Sequence, residues 1–162
     1  MPAVISNTSP LQYLHQVDLL PLLPALFGQV CAPTAVAGEL ATGRSMGLNL
    51  PNPEALAWID VRNVSQRGLL PEAPHLGEGE KEVIALALEQ QESLLLLDDR
   101  IARIHAHALN LSVTGTLGIL LLAKERGLLH VVRPALDQLD ALQFRLDERT
   151  RRHVLKLAGE SN

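Results

Sequence analysis

The chain has 162 residues, of which 47% are apolar and only 2% aromatic. A chain of this length is typical of one domain and can bury roughly 70% of its unfolded surface. The core must therefore be aliphatic, which favours an α/β or helical protein over an all-β sandwich. The formal charge of −4 excludes a protein that coats nucleic acid non-specifically, because such binding relies on lysine and arginine displacing phosphate counterions.

Neither the cysteine content nor the hydropathy indicates export or membrane insertion. Cys31 is the only cysteine, so it forms no internal disulfide and is expected to be buried in a protein of a reducing compartment. Residues 1–4 lack the basic and apolar regions of a leader. The longest uncharged apolar run, residues 117–123, is far shorter than the ~20 residues that span a bilayer. We therefore expect a cytoplasmic protein.

Short apolar strands alternate with helices along the chain. Thr8 or Ser9 can cap a helix whose first position suits Pro10, so the first strand leads directly into a helix. The clearest helix, residues 77–91, carries apolar side chains at the helical period, and an unbroken apolar run follows it. The predicted strands are residues 3–6, 29–32, 59–61, 93–97 and 111–113, and the predicted helices are residues 8–16, 18–27, 33–41, 54–58, 77–91, 99–109, 118–126, 134–143 and 147–158.

This alternation predicts an α/β domain with a mainly parallel central sheet. Strand–helix–strand units form right-handed crossovers, which cover both faces of the sheet with helices. Residues 42–53 and 66–76 show no apolar period and are expected to be irregular. Because no boundary is visible, we expect residues 1–162 to form a single domain, with the C-terminal helices from about residue 134 packed on it.

Candidate functional residues directly follow the predicted strands, because ligands of open parallel sheets bind beyond the carboxyl ends of the strands. Asn7 follows the first strand, and Asp98 and Asp99 follow a run of leucines in the fourth. An aspartate pair at this place fits metal ligands. It also fits a helix N-cap, where aspartate is common.

Glutamates on two predicted helices extend this set. Glu80 falls on the buried face of its helix, whereas Glu78 and Glu82 fall off the apolar stripe and are expected in solvent. All three also favour the positive end of the helix dipole. Glu39 borders the buried side of an earlier helix. Carboxylates gathered around Asn7 would repel one another unless protons or cations neutralised them.

Oxygen ligands of this kind select Mg²⁺ or Mn²⁺, which keep several waters and use only a few carboxylates. A cation of this type activates water for attack on a phosphodiester and offsets the negative charge that develops. The pattern is therefore suited to phosphodiester hydrolysis.

Four sequence blocks occur in a specific order along the chain. They are residues 4–11 (VISNTSPL), residues 76–80 (LGEGE) with 84–87 (IALA), residues 95–100 (LLLDDR) and residues 113–118 (VTGTLG). Together they resemble PIN-domain proteins, and more narrowly the uncharacterised prokaryotic PIN-like branch related to type II toxin–antitoxin ribonuclease toxins. The resemblance covers almost the whole chain and implies a PIN-like three-layer α/β/α fold with an acidic active site.

The resemblance further implies an endoribonuclease that depends on Mg²⁺ or Mn²⁺. It places Asn7 at the first acidic position, Glu39 at the second, Glu80 at the third and Asp98 at the fourth, with Asp99 as the adjacent candidate. The implied metal ligands are Asn7, Glu80, Asp98 and Asp99. Asn7 departs from the usual aspartate of the family. Its amide oxygen can ligate a cation, but it brings no charge and cannot act as a base.

Two functions from different classes are consistent with these residues. The first is a toxin of a toxin–antitoxin pair, with an RNA substrate, a small antitoxin as inhibitor and a homodimeric state. The second is a catalytically impaired PIN-like module that acts by binding RNA or protein.

Other features are given structural interpretations. His105 and His107 are two residues apart on a helix and point in different directions, so they are not a metal pair. Trp58 is expected to anchor the core or a loop, and the basic run of residues 145–156 is expected to form a solvated helix face. An aspartate pair also marks receiver domains, but there it follows the first strand, where this chain has Asn7.

Overall fold

A five-stranded parallel sheet forms the centre of the fold in the computed structural model, which describes residues 2–90 and 92–160. The strand order is β3-β2-β1-β4-β5, and every neighbouring pair is parallel. The predicted α/β class with a parallel sheet is therefore confirmed. The strands are β1 (Ala3–Ser6), β2 (Val30–Pro33), β3 (Ile59–Arg62), β4 (Ser93–Leu96) and β5 (Ser112–Thr114).

Strand β1 occupies the middle of the sheet. It pairs with β4 in a register that runs from Ala3 opposite Ser93 to Ser6 opposite Leu96. Three consecutive residues of β1, 4–6, are buried, and successive side chains of a strand point to opposite faces. Both faces of the sheet are therefore covered, and the residue after β1 lies at the centre of its carboxyl edge.

The helices follow the predicted order with shifted ends, except that the helix predicted over residues 54–58 is a short 3₁₀ turn at Pro53–Ala55. Helix α3 extends to Ser45, about one turn beyond its predicted end, and Gly43 within that turn is buried against Leu50. The predicted end of the fifth helix at Gln91 lies outside the described residues, as do residues 1, 161 and 162 of the expected single domain. The α-helices are α1 (Thr8–Gln16), α2 (Leu22–Phe27), α3 (Thr34–Ser45), α4 (Glu78–Glu89), α5 (Arg100–Ala108), α6 (Thr116–Glu125), α7 (Arg133–Ala141) and α8 (Glu148–Leu157), and short 3₁₀ turns occupy Pro53–Ala55 and Arg67–Leu69.

The core is aliphatic, as the composition predicts. One cluster of buried side chains joins the strands to helices α1 to α6 and includes Leu136 and Leu139 of α7 and Val154 and Leu155 of α8. Trp58 is partly buried against this cluster, in agreement with its interpretation as an anchor. Within the part of the chain that the structure describes, no helix is long and apolar enough to cross a membrane.

The expectation that Glu82 lies in solvent is wrong. Its exposed fraction is 6%, whereas Leu88, which the apolar period placed on the buried face, is 36% exposed. Helix α4 contacts α3 as well as β1, β2 and β4, so it is buried on more than the single face that a periodic pattern describes. Glu82 lies on the additional face, towards α3.

Candidate active site

Asn7 presents a buried oxygen atom that lacks a donor. Its backbone N–H donates to the carbonyl of Leu96 (3.0 Å), which fixes Asn7 at the end of β1 beside β4. Asn7 is the N-cap residue of α1, yet its side chain makes no capping hydrogen bond. The side-chain Oδ1 is buried and accepts no hydrogen bond from the described residues. Burying an acceptor without a donor costs about 1–3 kcal/mol, so this oxygen is available to a ligand.

Gly79 brings Asn7 and Glu39 together. The N–H of Gly79 donates to Glu39 Oε1 (3.1 Å), and the hydroxyl of Thr8 donates to Glu39 Oε2 (2.5 Å). A Cβ atom at position 79 would lie 2.7 Å from Glu39 Oε1 and 3.0 Å from Asn7 Oδ1. The two oxygens therefore face the same small space, which stays open because residue 79 has no side chain.

Glu80 lies next to this space at the start of α4. Its Oε1 accepts a hydrogen bond from the N–H of Gly77 (2.9 Å) and so caps the helix. Burial raises the pKa of Glu80 above its ordinary value, the Gly77 hydrogen bond opposes the rise, and the negative charges of Asp99 and Glu39 add to it. These like charges repel one another, and a cation between them would relieve the repulsion.

The two aspartates after β4 have different surroundings. Asp98 accepts hydrogen bonds from the Ser9 hydroxyl (3.0 Å) and from both the N–H and the hydroxyl of Thr116 (2.7 Å each), so it caps α6 from outside that helix. Asp99 is exposed, and its Oδ2 accepts from the N–H of Ala102 (2.9 Å) at the start of α5. The charge of Asp99 acts on Glu80. We define the acidic cluster as Asn7, Glu39, Glu80 and Asp99, with Asp98 in a capping network beside it.

The donor set fits a hydrated divalent cation. No group of three or more histidine, cysteine, aspartate and glutamate side chains among residues 2–90 and 92–160 is arranged as a ready metal cage. Mg²⁺ and Mn²⁺ do not require one, since they keep several waters and bind through one or two carboxylates. Asn7 Oδ1, which lacks a donor, and Glu39 Oε1 beside it offer two oxygens of the required type.

Two residues of this region, Gly79 and Arg103, were missed by the sequence analysis. A glycine inside a helix costs about 1 kcal/mol relative to alanine, so Gly79 between two glutamates is itself a signal of close packing. Arg103 Nη1 lies 3.1 Å from the position that a Cβ at Gly115 would take, and Asp98 Oδ1 lies 2.8 Å from the same position. No sequence signal separates Arg103 from the other exposed or half-exposed arginines.

Comparison with known families identifies the family and agrees with the fold. The sequence profile of a family described as the PIN domain matches residues 3–160. No curated protein matches the chain. The profile confirms the resemblance carried by the four sequence blocks, and the parallel sheet with its flanking helices is the corresponding α/β fold. The chain therefore belongs to the PIN-domain family, and its fold is of the nuclease type.

Proposed function

We propose that the chain is an endoribonuclease of the PIN type that depends on Mg²⁺ or Mn²⁺ and acts in the cytoplasm as the toxin of a toxin–antitoxin pair. The observation that carries this proposal is the buried Oδ1 of Asn7, which lacks a donor and faces Glu39 Oε1 across the space that Gly79 leaves open. A divalent cation satisfies both oxygens at once. The proposal treats the whole chain as one domain built around this site.

Each residue of the acidic cluster has a proposed role. Asn7 and Glu39 hold the cation, and the negative charges of Glu80 and Asp99 raise its affinity. A cation held there would supply an activated water and a positive charge opposite the phosphate. Asp98 fixes the start of α6 beside the cluster through its three hydrogen bonds, so its proposed contribution is to position the surrounding backbone.

Arg103 supports RNA as the substrate. Its guanidinium lies close to Asp98 at the carboxyl edge of the sheet, and it pairs with no carboxylate among residues 2–90 and 92–160. An arginine of this kind matches the geometry of a phosphate through paired N–H donors. We assign to it the contact with a phosphate of the bound RNA next to the acidic cluster.

The toxin role implies a small antitoxin and a homodimer as partners. Ile101 and Ile104 on α5 are 44% and 57% exposed, and exposed apolar side chains that lie together mark surfaces for protein contacts. A neighbouring reading frame that encodes a short DNA-binding protein would support the antitoxin, and size-exclusion chromatography with light scattering would give the oligomeric state.

The proposal is tested by Asn7→Asp, which adds a negative charge with little change in shape. We expect tighter Mn²⁺ binding and faster cleavage of RNA, and each tenfold gain corresponds to about 1.4 kcal/mol, which one charge near a cation can supply. Asn110→Asp is the matched control, because Asn110 is exposed just before β5, at the opposite edge of the sheet. The control should leave both quantities unchanged.

A catalytically impaired PIN-like module that binds RNA or protein is the second candidate. The observation that favours it is the amide at position 7, which brings no charge to the proposed cation. If the wild-type chain and Asn7→Asp are both inert with Mn²⁺ across varied RNAs, and neither binds the metal saturably, the binding module replaces the nuclease. If either protein cleaves RNA and EDTA abolishes the cleavage, the nuclease function is supported over the binding module.

A further inference from the structure

Helices α3 and α4 exchange hydrogen bonds at their N-termini. Glu82 Oε1 on α4 accepts from the N–H of Ala35 in the first turn of α3 (3.0 Å). In return, Glu39 Oε1 on α3 accepts from the N–H of Gly79 in the first turn of α4 (3.1 Å). N–H groups in a first helical turn have no partner within their own helix. Each helix therefore supplies a carboxylate acceptor for an N-terminal N–H group of the other. We name the residues Ala35, Glu39, Gly79 and Glu82 the reciprocal clamp.

The carboxylate of Glu82 is buried and fully engaged. Besides the Ala35 hydrogen bond, its Oε1 lies within 3.4 Å of the Thr34 hydroxyl, and its Oε2 forms an ion pair with Arg67 Nη1 (3.0 Å). A buried carboxylate is tolerated only with such partners. None of these contacts involves a residue of the acidic cluster, so Glu82 has no direct access to the proposed cation.

We infer that Glu82 is a positioning residue that holds Glu39 in the acidic cluster. Glu39 lies four residues after Ala35 on the same helix, which is about 6 Å along the axis. A helix transmits a displacement of its first turn over this distance, so releasing Ala35 moves Glu39 relative to Gly79. The effect on catalysis rests on the proposed nuclease function, whereas the effect on the clamp does not.

Hydrogen exchange at the Gly79 amide tests this inference without reference to activity. Because Glu39 is the partner of that N–H, its protection reports whether Glu39 is in place. In Glu82→Ala we expect the Gly79 amide to exchange at least about tenfold faster than in the wild type, measured by NMR. Mn²⁺ affinity should fall by a similar factor, because one of the two direct ligands is displaced.

Glu89→Ala is the matched control on the same helix. Glu89 Oε1 also accepts two backbone hydrogen bonds, from the N–H groups of Ser65 (2.9 Å) and Gln66 (2.7 Å), but near the other end of α4. Its removal should lower stability without changing the exchange of Gly79 or the affinity for Mn²⁺. A carboxylate that only stabilises the fold would give this result, whereas removal of the Glu82 carboxylate should change both the Gly79 exchange and the Mn²⁺ affinity.

Unchanged Gly79 exchange in folded Glu82→Ala overturns the inference. If that variant does not fold, Glu82→Asp serves in its place, since it keeps the charge opposite Arg67 but is one methylene too short to reach Ala35. Faster Gly79 exchange in Glu82→Asp supports the inference, and wild-type exchange overturns it. If the wild-type chain binds no Mn²⁺, the proposed nuclease function is overturned. The positioning role of Glu82 is still tested, because the exchange of the Gly79 amide does not depend on the metal.

Discussion

Gly79→Ala should remove cation binding while leaving the fold intact. The new methyl group would lie 2.7 Å from Glu39 Oε1 and 3.0 Å from Asn7 Oδ1, whereas an ordinary contact of this kind is roughly 3.5 Å. Glu39 must therefore retreat by roughly 1 Å, because Asn7 is buried and fixed to β4. A ligand misplaced by about 1 Å costs about 100-fold in rate.

The stability of this variant should change far less than its activity. Retreat of Glu39 weakens its hydrogen bond with the Gly79 N–H, a loss of roughly 1–2 kcal/mol, but alanine is favoured over glycine in a helix by about 1 kcal/mol. These effects nearly cancel. Thermal unfolding should therefore shift by only a few degrees, since about 1 kcal/mol corresponds to roughly 2–4 °C in a domain of this size.

The assay is Mn²⁺ titration combined with cleavage of RNA. Gly38→Ala is the matched control, because Gly38 also lies in a helix, directly before Glu39, and no atom lies within 4 Å of its added Cβ. The control should gain stability and keep wild-type affinity for the metal. Wild-type Mn²⁺ affinity in folded Gly79→Ala would refute the assignment of this space to the cation.

Three further predictions concern residues around the site and in the rest of the fold. Asp98→Ala should lower the free energy of unfolding by about 1–3 kcal/mol, because Ser9 and Thr116 lose the acceptor that they share; an unchanged urea midpoint would contradict the capping role. Burial raises the pKa of Glu160, but hydrogen bonds from Lys124 and two backbone N–H groups outweigh it and hold the pKa below the ordinary 4.5. The Glu160 carboxylate therefore stabilises the fold at pH values above its unfolded pKa, and this stabilisation is lost as the pH falls through the lower folded pKa. The difference in urea midpoint between the wild type and Glu160→Gln should shrink from pH 7 to pH 3. Burial raises the pKa of Cys31 to about 11, so iodoacetamide at pH 8 should label it about 100-fold more slowly than in the urea-unfolded chain; equal rates would show that the thiol is not shielded.

The sequence predicted the parts of the fold that depend on local pattern. Apolar runs separated by helical periods fix the strand and helix order, and the ends of the strands place Asn7, Asp98 and Asp99 at one edge. The extra turn of α3 was missed because it depends on Gly43 packing against Leu50, a contact that no local period records.

Features that depend on tertiary packing could not be predicted in this way. The burial of Glu82 arises where α4 meets α3, and a periodic pattern on α4 describes only its face towards the sheet. The space above Gly79 exists because Glu39 and Asn7 approach from two other elements. Asp98 and Asp99 follow the same strand one residue apart. Their different hydrogen-bond partners and the charge effect of Asp99 on Glu80 distinguish them, and these depend on the folded structure.

The pairing of β1 with β4 determines when the site can form during synthesis. The paired residues are about 90 positions apart in the chain, and translation adds roughly 5–20 residues per second. Asn7 therefore leaves the ribosome's catalytic centre roughly 5–20 s before Asp99 is added. A nascent fragment that ends before β4 has neither the neighbouring strand nor Asp99, so it cannot complete the acidic cluster while it is still held beside the ribosomal RNA.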